Sequence, residues 1–201
     1  FSCYAEKNGA ENCARYASIG IVIALFSCLI ISMLGPVLVR LLTPVSYYGA
    51  IQYIPWLALL AAIHNATSTL AFGAMSATHT IKPALIDSSA AALALVAYFI
   101  LIPMYHAWGA IAATYLALVS RLILMYIVSQ KERFLPFPLF KLMSLSLFSL
   151  CALILIPTTE LSLSVFIQSI LLLLSFLGVS IFLGFIPIKQ IQLVMLKMQG
   201  K

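Results

Sequence analysis

The chain has 201 residues, 64% of them hydrophobic and only 8% charged, against roughly 25% charged in soluble domains. That deficit excludes a water-soluble globular fold, and continuously apolar rather than alternating runs argue against a β-barrel. The net charge of +6 carries no nucleic-acid signal, because the bases are scattered between apolar runs and form no basic face or aromatic RNA-binding motif.

Residues 1–16 are polar and open at Phe1, with no basic segment, short apolar core and cleavage site of a signal peptide. They are expected to form a cytoplasmic stretch of a chain that is part of a longer protein. Six apolar runs follow, at approximately 17–39, 49–76, 84–102, 108–128, 142–156 and 163–186. A helix rises ~1.5 Å per residue, so a run of about 20 residues spans a hydrocarbon core of about 30 Å. Lipid offers the backbone no hydrogen bonds, so each run must satisfy its peptide groups internally as a helix. The predicted fold is all-α: a polytopic transmembrane bundle of about six helices over 17–186, with a tail at 187–201. The fifth run is short, and including Leu139 and Phe140 lengthens it if Lys141 snorkels to the headgroups. Pro36 and Pro55 lie in or near the starts of runs, where each removes a ladder hydrogen bond and is expected to kink its helix. Cys28 and Cys151 lie within runs, and Cys3 and Cys13 in the polar stretch; four unpaired thiols are expected.

The connections assign sidedness. When alternate connections are placed on the same side, every Lys and Arg except Arg40 and Arg121 falls on one side. Cytoplasmic loops carry the Lys/Arg excess, so both chain ends are predicted to be cytoplasmic, which requires an even number of crossings. The opposite connections hold only Arg40 and Glu160 as charges. Residues 188–199 are moderately amphipathic and suit either a surface helix or a solvated tail.

Polar groups inside the runs are the candidate functional residues. The second run carries His64, Asn65, Thr67, Ser68 and Thr69, and at helical spacing Ala58, Ala62, Asn65, Thr69, Gly73 and Ser76 share a stripe. Such a stripe suits either close helix packing or the wall of a polar cavity. In the fourth run Gly109, Ala113, Ala117 and Arg121 follow one another in steps of four, so Arg121 should face protein. An arginine at the bilayer centre costs at least ~2.5 kcal/mol, so it needs a partner or a role. Asp87, near the start of the third helix and entering from the same side, is the candidate partner or a proton carrier; the positive end of its own helix could also account for it.

Enzymatic chemistry is not expected. No Ser-His-Asp set, HExxH, P-loop or GxGxxG occurs. His64, His79 and His106 are not spaced as metal ligands, and five acids in the whole chain leave little for carboxylate chemistry.

Three stretches carry a family resemblance: GPVLVRLLTPVSYYGA (35–50), LAFGAMSATHTIKPAL (70–85) and ILIPMYHAWGAIAATYLALVSRLILMYIVSQK (100–131). A helix ending with a proline, a small-residue helix end before a basic connection, and an Ile-Pro turn into a Gly-Ala-rich helix resemble the polysaccharide flippases of the multidrug/oligosaccharidyl-lipid/polysaccharide exporter superfamily. The family often has Gly where this chain has His106 or Ala107. The resemblance implies the last six crossings of a fourteen-helix flippase in a bacterial inner membrane, with the remaining helices of the same protein as partner. It also implies a substrate, an undecaprenyl-diphosphate-linked oligosaccharide such as an O-antigen unit, moved by alternating access among membrane lipids and without a cofactor. Arg121, and more weakly Arg40, are the candidate cations for the diphosphate; His64, Asn65, Thr67 and Ser68 are the candidates for the sugars. A drug or cation exporter of the same superfamily and a membrane enzyme of polysaccharide assembly are the alternatives.

Overall fold

A computed structural model of the chain describes residues 9–71, 81–132, 134–155 and 163–185. Cys3, Gly73, Ser76, His79, Arg133, Glu160 and the tail 187–201 lie outside the described residues. All regular structure among those described is helical, in agreement with an all-α membrane bundle, and three of the helices are long and apolar enough to cross a bilayer.

Helix α1 (Gly9–Leu42) starts well before the expected apolar run and spans 34 residues. It is the central helix of the molecule. Its face of Ile21, Val22, Leu25, Cys28 and Leu29 is buried in the main apolar cluster, which also takes Ala58, Ala62, Leu145, Ala152 and Phe176 from other helices. Pro36 lies inside α1 and is buried there.

The expected second helix is divided. A 3-10 segment (Val45–Tyr53) comes first, and α2 (Ile54–Leu70) follows. Pro55 explains the division: it stands in the first turn of α2, where its missing N–H has no partner to lose and its fixed φ suits a helix start. It therefore begins a helix rather than kinking one. The junction of α1 and α2 is tight. A Cβ at Gly35 would lie 2.6 Å from Cγ2 of Ile54, so only a glycine lets these two helices approach so closely.

The element from Ile81 to Glu132, α3, is two helical arms that meet at a break at His106 (φ 52°, ψ −124°). Contacts between its two halves show an antiparallel hairpin. Lys82 bonds Glu132, Asp87 bonds Arg121, and Tyr98 and Thr114 share a hydroxyl hydrogen bond of 2.8 Å. Nearest the reversal, a Cβ added to Gly109 would lie 2.1 Å from the carbonyl oxygen of Leu101. Each arm has about 25 residues and is thus ~38 Å long, enough for one bilayer crossing. The turn expected over 103–107 is concentrated at one residue, held in a left-handed conformation that costs a non-glycine residue about 1–3 kcal/mol.

Helix α4 (Leu139–Leu155) includes Leu139, Phe140 and Lys141, and α5 (Leu163–Phe182) ends in a turn in which Gly184 takes φ 77°. The Lys141 ammonium donates to the Leu183 carbonyl at 2.9 Å, so the start of α4 and the end of α5 are adjacent. Helix α2 packs between α1 and α3, whereas α4 and α5 pack on α1 and on each other.

Most buried hydroxyls are satisfied locally; among the described residues that of Ser129 has no hydrogen-bond partner. Ser18, Ser32, Thr67, Ser149 and Ser169 each donate to the carbonyl four residues back, at 2.7–2.9 Å. A hydroxyl in an apolar helix thus needs no partner on a neighbour. Cys28 and Cys151 are free thiols.

The two ends of the bundle differ. Arg15, Lys82, Lys131, Glu132 and Lys141 gather at one end, linked through the packing of Leu135 on Cys13 and Ala14. Tyr48, Tyr53, Trp56 and Trp108 gather at the other: Tyr53 and Trp108 meet edge-on at 5.1 Å, Trp56 and Trp108 at 6.0 Å, and Tyr115 donates to the Trp56 carbonyl. Trp and Tyr favour membrane–water interfaces.

His106→Gly should raise the thermal midpoint of the detergent-solubilised chain, because it relieves a conformation worth roughly 1 kcal/mol or more even after the entropic cost of glycine. Gly109→Ala should lower stability by about 1–3 kcal/mol, since the methyl has no room against Leu101. Opposite signs in the melting curves would refute the hairpin geometry.

Candidate functional site

The most polar constellation within the apolar helices joins α2 to both arms of α3. The Arg121 Nε donates to Asp87 Oδ1 at 2.7 Å, and its Nη1 lies 3.2 Å from Nδ1 of His64. The small-residue stripe accounts for its position. Gly109, Ala113 and Ala117 are buried against neighbouring helices, and Arg121 continues that line one turn further. The stripe lets the arms and α2 approach, and the guanidinium emerges where they meet.

Geometry fixes the hydrogen-bond roles. Guanidinium is purely a donor. In this contact Nδ1 of His64 is therefore the acceptor. Asp87 supplies the compensating charge. The Arg121 side chain is 19% exposed and that of Asp87 49%, so the cation is mostly enclosed while the carboxylate and imidazole line an open face. Asp87 lies about five residues, or ~8 Å, from Lys82 at the charged end, and Arg121 about eleven residues, or ~16 Å, from Glu132. The constellation thus sits beneath the charged rim and inside the apolar part of the hairpin.

The other sequence candidates divide. Asn65 and Ser68 neighbour His64 on the exposed side of α2, with the Ser68 hydroxyl on the His64 carbonyl at 3.1 Å. Thr67 does not line the open face: it is completely buried, and its hydroxyl is bonded to the Ile63 carbonyl. Arg40 is remote from Arg121. It lies at the end of α1 among the aromatic residues, with its guanidinium 5.9 Å from the Tyr48 ring centre and its carbonyl accepting from the Tyr48 hydroxyl. The small-residue stripe of α2 buries Ala58 and Ala62, whereas Asn65 of the same stripe is exposed.

Sequence reasoning missed the Lys82–Glu132 pair and the His64–Arg121 contact. A signal for the first was present, because 24 residues back from His106 and 26 forward bring the two residues to nearly the same level. The second depends on the rotation of α2 against α3, which no local pattern encodes. Among the described residues no group of His, Cys, Asp and Glu could hold a metal ion.

No family model matches the chain, and no match to it was found among the curated proteins or the solved structures.

The Arg121–Asp87 bond should appear in a double-mutant cycle. Asp87→Asn alone should destabilise the chain more than Asp87→Asn combined with Arg121→Gln, because the single change leaves a cation unpaired within apolar surroundings. A coupling on the order of 1 kcal/mol in detergent unfolding is expected for a partly open pair; strict additivity would contradict it.

Proposed function

We propose that this chain is the C-terminal part of a flippase that carries a diphosphate-linked oligosaccharide across a bacterial inner membrane by alternating access. The observation that carries this reading is the enclosed Arg121 beneath an open polar face of His64 and Asp87. The cost of intramembrane charge makes such a constellation expensive unless it has a use. The stretch that resembles the polysaccharide flippases, 35–131, contains all three residues and the α1–α2 and hairpin junctions that hold them.

In this reading the bundle crosses the membrane six times, α3 contributing two crossings, with the charged end in the cytoplasm. A lipid-linked glycan has a head too polar to enter hydrocarbon, and a cavity between helices that opens to each side in turn lowers that barrier. Arg121 supplies the planar donor set that suits a phosphate. Asp87 holds the guanidinium in place while the site is empty, and the incoming diphosphate displaces the carboxylate. Nδ1 of His64, released from Arg121, is then free to accept a hydrogen bond from a sugar hydroxyl. Asn65 and Ser68 meet the sugar next to the phosphate. Arg40 belongs to the far mouth.

The drug-exporter alternative is weaker. A cationic substrate needs an unpaired carboxylate, and Asp87 is already bonded to a cation. Catalysis of polymer assembly has no acid or base constellation to support it among the described residues.

In the intact gene product, Arg121→Ala should abolish surface polysaccharide while membrane insertion is retained, and Arg121→Lys should restore only part of it because the bidentate geometry is lost. Wild-type polysaccharide in the alanine variant would end the proposal. Independently, a cysteine at Met104 in a cysteine-free background should react with an impermeant thiol reagent from outside the cell and not from the cytosol; the reverse labelling would invert the topology.

A further inference from the structure

At the charged end, on the side of the bundle away from His64 and Arg121, α1 and α5 leave a cavity of about 320 Å³. Its wall includes Glu11 and Arg15 of α1, Lys141 of α4 and the turn Leu183–Phe185 after α5. Two cations face one acid there, so the mouth carries excess positive charge. Below it, the crevice between α1 and α5 continues as a second hollow of about 100 Å³ whose side chains include Ile19, Ile23, Phe26, Phe176 and Leu177. Phe185 borders both hollows, and Ser18 of the upper wall is followed directly by Ile19 of the lower. The hydroxyl that reaches the lower hollow, that of Ser180, is bonded to the Leu177 carbonyl at 2.8 Å. Nothing polar is therefore on offer in the lower part.

We propose that this crevice is a binding site for an anionic glycerophospholipid, with the phosphate between Arg15 and Lys141 and one acyl chain along the α1–α5 slot. A cationic mouth at the level of the headgroups above a purely apolar channel matches an amphiphile and neither a soluble anion nor a neutral lipid. Basic pockets between membrane helices recognise lipid head groups in this way. Lys141 is held in the mouth by its bond to the Leu183 carbonyl, so one of the two cations is pre-positioned by the fold. The Arg15 chain can extend from α1 to the same level, its methylenes against the apolar wall. The site uses none of the groups assigned to transport, so it stands or falls separately from that assignment.

Native mass spectrometry of the delipidated chain in mild detergent tests this directly. Phosphatidylglycerol should survive collisional activation as a one-to-one adduct at several times the level of phosphatidylcholine. Glycerol 3-phosphate, which has the head charge but no chain, should not be retained. The double variant Arg15→Ala/Lys141→Ala should lose phosphatidylglycerol by roughly fivefold for each cation removed. Glu11→Gln, which removes the one acid and breaks no hydrogen bond known in the structure, should raise retention severalfold and guards against a trivial folding defect. Equal retention of the two lipids, retention of glycerol 3-phosphate, or indifference to both variants would overturn the proposal.

Discussion

A peptide group in hydrocarbon has nowhere to bond except its own helix, and this constraint governs the whole molecule. It explains why all described regular structure is helical, and why Ser18, Ser32, Thr67, Ser149 and Ser169 turn their hydroxyls back onto carbonyls one turn earlier. It also explains why glycines, rather than large interlocking side chains, set the closest approaches. Without a hydrophobic force between helices already in lipid, association rests on contact at short range. Gly35 against Ile54 and Gly109 against Leu101 are the two places where the contact is closest to backbone.

Against that background the polar constellation of His64, Asp87 and Arg121 stands out because it is not self-satisfied within one helix. Three helical segments must be in register for the guanidinium to reach both partners. The positions of α2 and of the two α3 arms are thus read out in a single side chain. Motion of α2 against the hairpin would first break the 3.2 Å contact to His64, whereas the Asp87 bond lies within the hairpin and moves with it. This separation gives the site a stable half and a yielding half.

Much of the fold was legible in the sequence because hydropathy alone decides where chain can sit in lipid. The helices, the reversal near 106, and the orientation of Arg121 toward protein all follow from run length and the step-of-four stripe. Where local chemistry competed with hydropathy, the reading failed. Pro55 put a helix start a few residues inside an expected run, and α1 extended to Gly9 through a largely polar stretch whose Ala10, Cys13 and Ala14 pack in one cluster with Leu135. The site was legible one residue at a time, and its assembly was not. Thr67 and Ser68 are adjacent hydroxyls of equal standing in sequence, and only the rotation of α2 determines that one is entombed and the other open. The cationic mouth between α1, α4 and α5 draws on residues far apart in the chain, which no motif search joins.

The hairpin of α3 has a consequence for biogenesis. A charged helix delivered singly to a bilayer must either stall or drag its ion into oil. Here the two arms are joined by a turn of one residue, and their opposite charges, Asp87 and Arg121, already neutralise each other. Arms that zip together before partitioning would present the translocation machinery with a pair whose inner charges already cancel, needing no assistance from α1, α4 or α5 for that step. The bond that steadies the finished site would then also be the one that lets it enter the membrane at all.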